Sequence, residues 1–367
     1  YEANMDNRIT LTEGKSIYGG YSSDYQVRDP AAYPTVITDV TDLSMGVGGD
    51  VTPVLVDSNT TPATVLDGFT INGSTIGIGS SVGAILINGS PTISNNIING
   101  GGSDLIDGSR AITIYNTGPV IKNNTIDGGN ALMVSYGIWG GTDGAIISNN
   151  TIGSGAGRDG VTAIHLSDCT NVTTIRNNSI SVGHGIVDTY GIVVTVIPAN
   201  ASVIIEANTI PGGTSTNMDS TSISSTGDGK LIARNNTIVL EGARSYGITI
   251  GSNGVISNNT IVGGVSEFSW GMYIHYHKIV NLAVQNNIID LTNGTCIAES
   301  SDSTGPSLLK NNDLTGCPTL YIDESQANIK NIDDVNALSE TDASGNISIP
   351  PNLDSAEDYR LTVASPV

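Results

Sequence analysis

One short phrase, Asn-Asn-x-Ile, returns at a nearly constant interval along most of this 367-residue chain. Eight steps cover 216 residues, a mean of 27 per step, and Phe69 lies one further step upstream. A fixed period in this range indicates a stacked repeat, in which each unit buries its apolar face against its neighbours. Ala207 replaces the first asparagine of one copy, and the second asparagine stands at Asn96, Asn124, Asn150, Asn178, Asn208, Asn236, Asn259, Asn287 and Asn312.

Two apolar columns flank each asparagine pair. Three residues before the second asparagine the residue is Ile, Leu, Val or Ala, and two residues after it the residue is Ile or Leu. Positions five apart on an unbroken strand point to opposite faces. The chain must therefore bend at the pair for both columns to reach the interior, and Asn tolerates the left-handed backbone that a bend requires. Each pair is predicted to be a corner between two short strands.

The spacing of the strands predicts the architecture. Further apolar runs such as 112–114, 164–166 and 248–250 follow in most coils, separated by Gly, Asn, Ser, Asp and Thr, and helical periodicity is absent. Equivalent strands one coil apart must be parallel. We therefore predict an all-β, right-handed parallel β-helix of about 27 residues per coil and roughly a dozen coils. Residues 1–66 are expected to form the N-terminal cap and first coils, 67–322 the regular coils, and 323–367 the C-terminal coils and cap.

Composition limits the partners. The formal net charge of −21 and the pI near 4.2 disfavour nucleic acid and anionic lipid. No run approaches the ~18 apolar residues of a membrane span. Only 13% of residues are charged, and the abundant Gly, Ser, Thr and Asn are common on extracellular solenoids.

The chain has three cysteines. Cys296 and Cys317 lie less than one coil apart, so a disulfide and two free thiols are both compatible with the sequence, and Cys169 is expected to be buried and free.

The two ends of the chain and the Asn-Asn-Thr-Ile corners carry a family resemblance. Residues 15–21 (Lys-Ser-Ile-Tyr-Gly-Gly-Tyr), 27–37 and 358–367, with its Leu-Thr-x-x-Ser-Pro ending, resemble bacterial secreted proteins of the right-handed parallel β-helix type, the pectate-lyase-like solenoid superfamily. In that family the ending usually continues into an Ile-Asp-x-Gly tail, which is absent here, so we expect a part of a longer surface protein. The family includes lyases, hydrolases, epimerases and adhesins, so the resemblance indicates an extracellular or cell-surface location more than an activity.

The resemblance implies no complete hydrolase site. Pectin-cleaving hydrolases of this fold carry Asn-Thr-Asp, an Asp pair, Gly-His-Gly and Arg-Ile-Lys. Here Gly183-His184-Gly185 is present, but the first and last motifs are missing and the Asp333-Asp334 pair lies several coils away. Glycoside hydrolysis needs two carboxyl groups across the scissile bond. We therefore expect His184 to occupy an ordinary glycine-rich turn.

A lyase or epimerase would need a base beside a group, or a calcium ion, that neutralises a uronate carboxylate. In the run 272–277, alternation predicts that Tyr273, His275 and His277 point outward and that Met272, Ile274 and Tyr276 point inward. Similar register places Thr249 and Ser224 one and two coils earlier, with His165 and Trp139 further back. Tyr273, His275 and His165 are the candidate catalytic residues, and a solvated strand is the competing interpretation.

Aromatic residues also recur. Tyr136, Tyr190 and Tyr246 each begin a Tyr-Gly-Ile triplet, at steps of 54 and 56 residues, or two coils. With Trp270 they are candidates for a ladder that stacks on sugar rings; packing at the edge of the core is the alternative. Trp139 is a further candidate for carbohydrate binding. Their orientation is open because alternation fails near a turn.

Charged residues give weaker signals. A mildly basic outward column contains Lys122, Arg176, Glu206, Arg234 and Lys310 among Ser and Gln, and is most simply a solvated face. No cofactor is required and no metal site is nominated; turns such as Asp143-Gly144 leave calcium binding possible, although no loop has the dense Asp spacing of a dedicated site.

The leading hypothesis is an extracellular structural, adhesive or glycan-binding solenoid. A polysaccharide lyase, epimerase or hydrolase acting on an acidic glycan is the alternative, and a subunit that assembles end to end into fibres is a further one.

Overall fold

The chain forms a parallel β-solenoid, as the repeat predicts. About nine turns of about 27 residues make up its regular part, and irregular strands extend it at both ends. A short helix, Ile332–Val335, is the one helix in the part of the chain that the structure describes, and no helix there is long and apolar enough to cross a membrane. This computed structural model describes residues 1–4, 7–41, 51–75, 81–215, 219–275, 281–300, 305–324, 327–354, 359–362 and 365.

Strands that follow the corner form one stack, here called the post-corner sheet. Its twelve parallel strands extend over about 53 Å at ~4.8 Å per strand. The strands are Glu2–Ala3, Thr35–Asp39, Phe69–Asn72, Ile97–Asn99, Thr125–Asp127, Thr151–Gly153, Ser179–Ser181, Thr209–Pro211, Thr237–Leu240, Thr260–Gly263, Ile288–Leu291 and Asp313–Thr315.

Strands that precede the corner form a second stack, the pre-corner sheet. Two further long strands, Ser220–Arg234 and Ser245–Ser257, contribute their last residues to it. The other members are Ile17–Tyr18, Val65–Asp67, Thr92–Ser94, Val120–Lys122, Ile146–Ser148, Val172–Arg176, Ser202–Glu206, Leu282–Gln285, Leu308–Lys310 and Asp342–Ser344.

The remaining stack, the long-strand sheet, carries the candidate site. The two long strands named above join it to the pre-corner sheet, and Ala327–Ile329 adds an antiparallel edge. Its other strands are Ile9–Leu11, Val54–Val56, Ser81–Ile87, Gly108–Thr117, Val134–Thr142, Gly160–Ser167, Asp188–Ile197, Ser269–Ile274, Thr295–Glu299 and Thr319–Asp323. A four-stranded side sheet consists of Asn130–Ala131, Ala156–Gly157, His184–Gly185 and Thr214–Ser215, and a hairpin pairs Leu353–Asp354 with Arg360–Leu361.

Both apolar columns predicted from the repeat lie in the core. Equivalent residues pair directly between coils, for example Ile126 with Ile152 and Ile152 with Ile180. In the nine copies, no residue of either column is more than 2% exposed. Each fully buried Ile contributes about 1.5–3 kcal/mol of hydrophobic free energy, and the columns share one continuous cluster. The stacked coils therefore bury a continuous apolar core that no single coil could bury alone.

The two asparagines of each corner have different tasks. The first adopts the left-handed conformation, with φ between 53° and 56° in all nine copies, including Ala207. The second is buried and continues a hydrogen-bond ladder: the backbone N–H and the Nδ2 of Asn150 both donate to Oδ1 of Asn178, at 2.9 and 3.0 Å. Nδ2 of Asn178 donates in turn to Asn208 Oδ1 and to the Ile147 carbonyl, each at 3.0 Å. The predicted corner is confirmed.

Both ends of this ladder are capped. At the first end, the Phe69 N–H donates to Asn96 Oδ1 at 2.9 Å. At the other end the ladder includes a tenth asparagine, Asn346, whose Nδ2 donates to Asn336 Oδ1 at 2.9 Å. Asn346 does not match the Asn-Asn-x-Ile pattern because Gly345, at φ 68°, replaces the first asparagine and Ser348 replaces the isoleucine. Local turn chemistry at Gly345 thus extends the repeat beyond its sequence signature.

An ion pair ties the N-terminal loop to the solenoid, and a disulfide joins two later segments of the solenoid. Arg28 forms an ion pair with Asp67 and donates from Nε to the Gly19 carbonyl at 2.9 Å. This holds an N-terminal loop against the first coils. Cys296 and Cys317 form a disulfide with a Cα–Cα distance of 5.6 Å, and Cys169 is buried with a free thiol, as expected.

Candidate functional site

The outward face of the long-strand sheet is organised by a bend in every coil. One residue after the predicted aromatic position, the chain carries Gly, Ala, Ser or Cys, and this residue and the next both point inward. A Cβ on Gly137, Gly191 or Gly247 would lie 2.8–2.9 Å from Cγ2 of the interior Ile of the post-corner sheet. The Gly of the Tyr-Gly-Ile triplet is thus required by close packing. Because of this bend, each coil presents two outward residues three positions apart.

The first outward residue of each coil forms what we call the aromatic column. Direct strand pairing aligns its members one above another. Tyr136, Tyr190, Tyr246 and Trp270 therefore lie in one line, half-buried and facing outward rather than into the core. The column consists of Arg110, Tyr136, Thr162, Tyr190, Thr221, Tyr246, Trp270 and Thr295.

The second outward residue of each coil forms a parallel second column. The register predicted from the sequence is confirmed, since Ser224 pairs with Thr249 and Thr249 pairs with Tyr273. Trp139 pairs with His165 further along the same line. The full column is Thr113, Trp139, His165, Val193, Ser224, Thr249, Tyr273 and Ala298.

At one end of this face, rings from both columns form a cluster. Tyr246 and Trp270 stack with ring centroids 4.7 Å apart and an interplanar angle of 9°. The Tyr273 ring centroid lies 5.7 Å from that of Tyr246, 6.5 Å from that of Trp270 and 5.5 Å from that of His275. Such pairs contribute about 0.5–1.5 kcal/mol beyond area burial. The cluster is a preformed apolar surface.

A second cluster lies towards the N-terminal end of the same face. The Arg110 guanidinium lies 4.4 Å from the centroid of the Trp139 ring, and Tyr136 contacts His165 edge-on at 5.7 Å. Between the clusters lies Tyr190, two coils from Tyr136 and two from Tyr246. The predicted carbohydrate-binding residues are therefore all on one face.

An acidic pair beside Tyr190 was missed by sequence reasoning. Asp188 and Asp219 precede adjacent column positions, and the Asp219 N–H donates to Asp188 Oδ1 at 3.4 Å. Arg244 Nε lies 2.9 Å from Asp219 Oδ1, and the Arg244 Nη2 donates to the Tyr246 hydroxyl at 3.4 Å. Each of the three charged residues stands two positions before an aromatic-column residue. Aligning the long strands on Tyr190, Thr221 and Tyr246 would have revealed this set.

Burial changes the proton affinities of these groups. It raises the pKa of Asp219, an effect that Arg244 opposes and Asp188 reinforces. Burial and the neighbouring Asp188 and Asp219 raise the pKa of Tyr190 to about 12, and burial raises the pKa values of Tyr136 and Tyr246. These phenols stay protonated at neutral pH. They are suited to stacking and hydrogen bonding and unsuited to the role of a phenolate base.

The three candidate catalytic residues do not converge. Tyr273 and His275 are adjacent, but His165 lies four coils away in the second column, about 19 Å at ~4.8 Å per strand. Burial lowers the pKa of His165, so its imidazole is neutral at pH 7. A single site around all three, as the sequence suggested, is wrong because stacking separates similar registers by whole coils. Tyr276 and His277 lie outside the described residues.

The other sequence candidates lie away from this face. His184 belongs to the four-stranded side sheet and is exposed, in an open groove of about 410 Å³ that also includes Arg158 and Leu132. Asp333 and Asp334 form the first turn of the short helix, where acidic residues are favourable. His184 therefore lies in a short strand of this side sheet and not in the glycine-rich turn that the sequence predicted.

Ion pairs occupy much of the predicted basic column on the pre-corner sheet. Arg234 Nη2 lies 2.6 Å from a carboxylate oxygen of Glu206, and Lys310 Nζ lies 2.6 Å from a carboxylate oxygen of Asp342.

In the described part of the chain, no group of three or more His, Cys, Asp or Glu side chains could hold a metal ion. Asp143 accepts a hydrogen bond from Thr170 of the next coil at 2.7 Å, so this turn is joined to its neighbour.

No protein-family description matches the chain, and no curated protein matches its sequence significantly. The assignment that the structure supports is to the parallel β-solenoid fold with about 27 residues per turn and stacked, hydrogen-bonded asparagines.

Proposed function

We propose that this protein is an extracellular or cell-surface solenoid of the pectate-lyase-like type that binds a polysaccharide on its long-strand face. The observation that carries the proposal is the aromatic column, with its Tyr246–Trp270–Tyr273 cluster. Sugar rings present apolar C–H faces and polar rims. A line of half-buried rings edged by Asp188, Asp219 and Arg244 offers complementary groups to both.

The rigidity of the face supports this role. Its rings project from neighbouring strands of one parallel sheet, so their spacing is set by backbone hydrogen bonds. A preformed surface avoids much of the ordering cost of binding. Half-buried Tyr and Trp rings also lose little side-chain entropy on contact, which is why such residues recur at binding surfaces.

The two tryptophans of the chain give a direct test. Trp139 and Trp270 both belong to this face. Titration with soluble polysaccharides should therefore change the intrinsic tryptophan fluorescence. Trp270→Ala should weaken binding about tenfold or more, equivalent to ~1.4 kcal/mol or more. Tyr25→Ala, which removes a well-exposed ring in the N-terminal loop, is the matched control and should bind normally. Absence of binding across neutral and acidic glycans would reject the proposal.

A glycan hydrolase is the second candidate, favoured by the Asp188–Asp219 pair. Asp219, whose pKa is raised by burial, would serve as the acid, and Asp188 as the base or nucleophile. Hydrolysis of a bound polysaccharide releases reducing ends, and a lyase releases unsaturated ends. Both products should be measured with and without calcium. Activity retained in Asp219→Asn and Asp188→Asn would exclude this pair from catalysis.

A further inference from the structure

The aromatic column has a two-coil period. Tyr136, Tyr190 and Tyr246 occupy every second strand, and Thr162 and Thr221 occupy the strands between them. Two strand spacings correspond to about 9.6 Å along the solenoid axis at ~4.8 Å each. The column therefore offers one ring per two coils over about 19 Å from Tyr136 to Tyr246, and Trp270 follows one coil later, about 24 Å from Tyr136 at the same spacing.

The threonines between the rings are covered. Thr162 and Thr221 point outward, yet each is only 5% exposed. A small side chain on an outward position can be hidden only by neighbouring side chains, and the column neighbours of Thr221 are Tyr190 and Tyr246. Neighbouring side chains thus cover the intervening positions. The column therefore forms a strip of closely packed side chains parallel to the axis.

Charge restricts what this strip can bind. The protein carries a formal charge of −21, and Asp188 and Asp219 lie at the edge of the strip. Its nearest cations are engaged: Arg110 lies over the Trp139 ring and Arg244 is paired with Asp219. A polyanionic glycan would be repelled. The carboxylates are instead suited to accept hydrogen bonds from the hydroxyl groups of an uncharged sugar.

Building on the proposed function, we infer that the ligand is an uncharged, extended, β-linked polysaccharide that lies along the solenoid axis. In such a chain successive sugars turn over, so the same ring face returns at every second sugar. The length of that disaccharide closely matches two strand spacings. Tyr136, Tyr190 and Tyr246 then contact equivalent faces of alternate sugars, and the acidic edge binds hydroxyl groups near Tyr190.

Oligosaccharides of increasing length test this arrangement. β-1,4-linked gluco-, manno- and xylo-oligosaccharides of two to six sugars should be titrated by tryptophan fluorescence and calorimetry, with oligogalacturonate as the anionic comparison. Affinity for the matching neutral series should rise with length until the strip is filled. Oligogalacturonate should bind at least tenfold more weakly at low salt.

Variants locate the ligand along the axis. Tyr190→Ala should reduce the affinity for the six-sugar ligand about tenfold or more, and Tyr190→Phe, which keeps the ring, should bind nearly as the parent does. Tyr136→Ala should remove the gain between short and long ligands while leaving the shortest ligand that binds at the Trp270 end unaffected. Unchanged circular dichroism and melting temperatures would show that each variant folds.

The outcomes separate this inference from the proposed function. Binding that depends on Trp270 and Tyr273 but not on Tyr136 or Tyr190 would show that the glycan crosses the strands, and would overturn the axial arrangement alone. Stronger binding of oligogalacturonate would overturn the assignment to an uncharged glycan. If no glycan of either class binds, the proposed function itself is wrong.

Discussion

The asparagine ladder predicts that one isosteric change will disrupt the solenoid. In Asn178→Asp, the carboxylate can still accept from the backbone and side chain of Asn150. Its second oxygen, however, replaces Nδ2, which donates to the Ile147 carbonyl and to Asn208 Oδ1, each at 3.0 Å. Two attractive contacts become contacts between acceptors, and a negative charge is placed where the parent side chain is only 2% exposed.

The magnitude follows from these contacts. Two lost hydrogen bonds account for about 1 kcal/mol each, and leaving their buried partners unsatisfied adds about 1–3 kcal/mol. An unpaired buried charge increases the cost further, unless the new carboxyl takes up a proton. We expect Asn178→Asp to lower the free energy of unfolding by about 4 kcal/mol or more at pH 7.5. Because a protonated Asp can donate again, the loss should shrink as the pH falls.

Urea denaturation followed by far-ultraviolet circular dichroism at pH 7.5 and pH 4.5 measures this effect. Asn177 provides the matched control, because it is the adjacent asparagine of the same corner but is exposed, with φ 53°. Asn177→Gly preserves the left-handed conformation and should change stability by less than about 1 kcal/mol. Equal stability losses in Asn177→Gly and Asn178→Asp would refute the division of tasks within the corner.

Further predictions concern the core, the exceptional corner and a buried carboxyl. Ile152→Asp places a charge between two buried isoleucines and should prevent soluble folding, whereas Thr151→Asp, at the adjacent exposed position, should be soluble and fold; solubility and circular dichroism distinguish them. Ala207→Gly should raise the free energy of unfolding by about 1 kcal/mol because Ala207 holds φ 53°, while Ala283→Gly in an ordinary strand should lower it; a urea titration that gives the same sign for both contradicts this reasoning. Burial raises the pKa of Asp313 from 3.8 to about 6, so the folded state binds this proton more tightly than the unfolded state and its stabilising effect is lost as pH rises through 6. The parent should therefore lose stability relative to Asp313→Asn between pH 4.5 and 7.5. Parallel stability profiles of the two proteins over this pH range would contradict the prediction.

The sequence determined the fold because every copy of the repeat imposes the same bend and the same two buried positions. Each copy of the corner places an apolar residue, most often Ile, three residues before and two residues after a buried Asn. Any one copy is weak, but all nine must satisfy the same bend and the same interior. The right hand of the winding, taken from the absence of hexapeptide repeats, stays a prediction. The limits of the regular coils were less visible, since Gly345-Asn346 continues the ladder without the full motif.

The candidate site depended on tertiary structure to a much greater extent. Sequence alone aligned Thr249 with Tyr273, but it could not orient Tyr190 or Tyr246, because two consecutive inward residues interrupt alternation at each bend. It also could not bring Asp188 to Asp219, which are 31 residues apart.

The apolar columns can be read directly from the sequence, because apolar residues recur in it at a fixed period. Contacts on the outer face depend on which turn of each coil contains the extra or missing residues. Only the folded structure shows where these length differences between coils lie. The sequence therefore determined the coil, its corner and its interior. The folded solenoid decided which surface residues became neighbours.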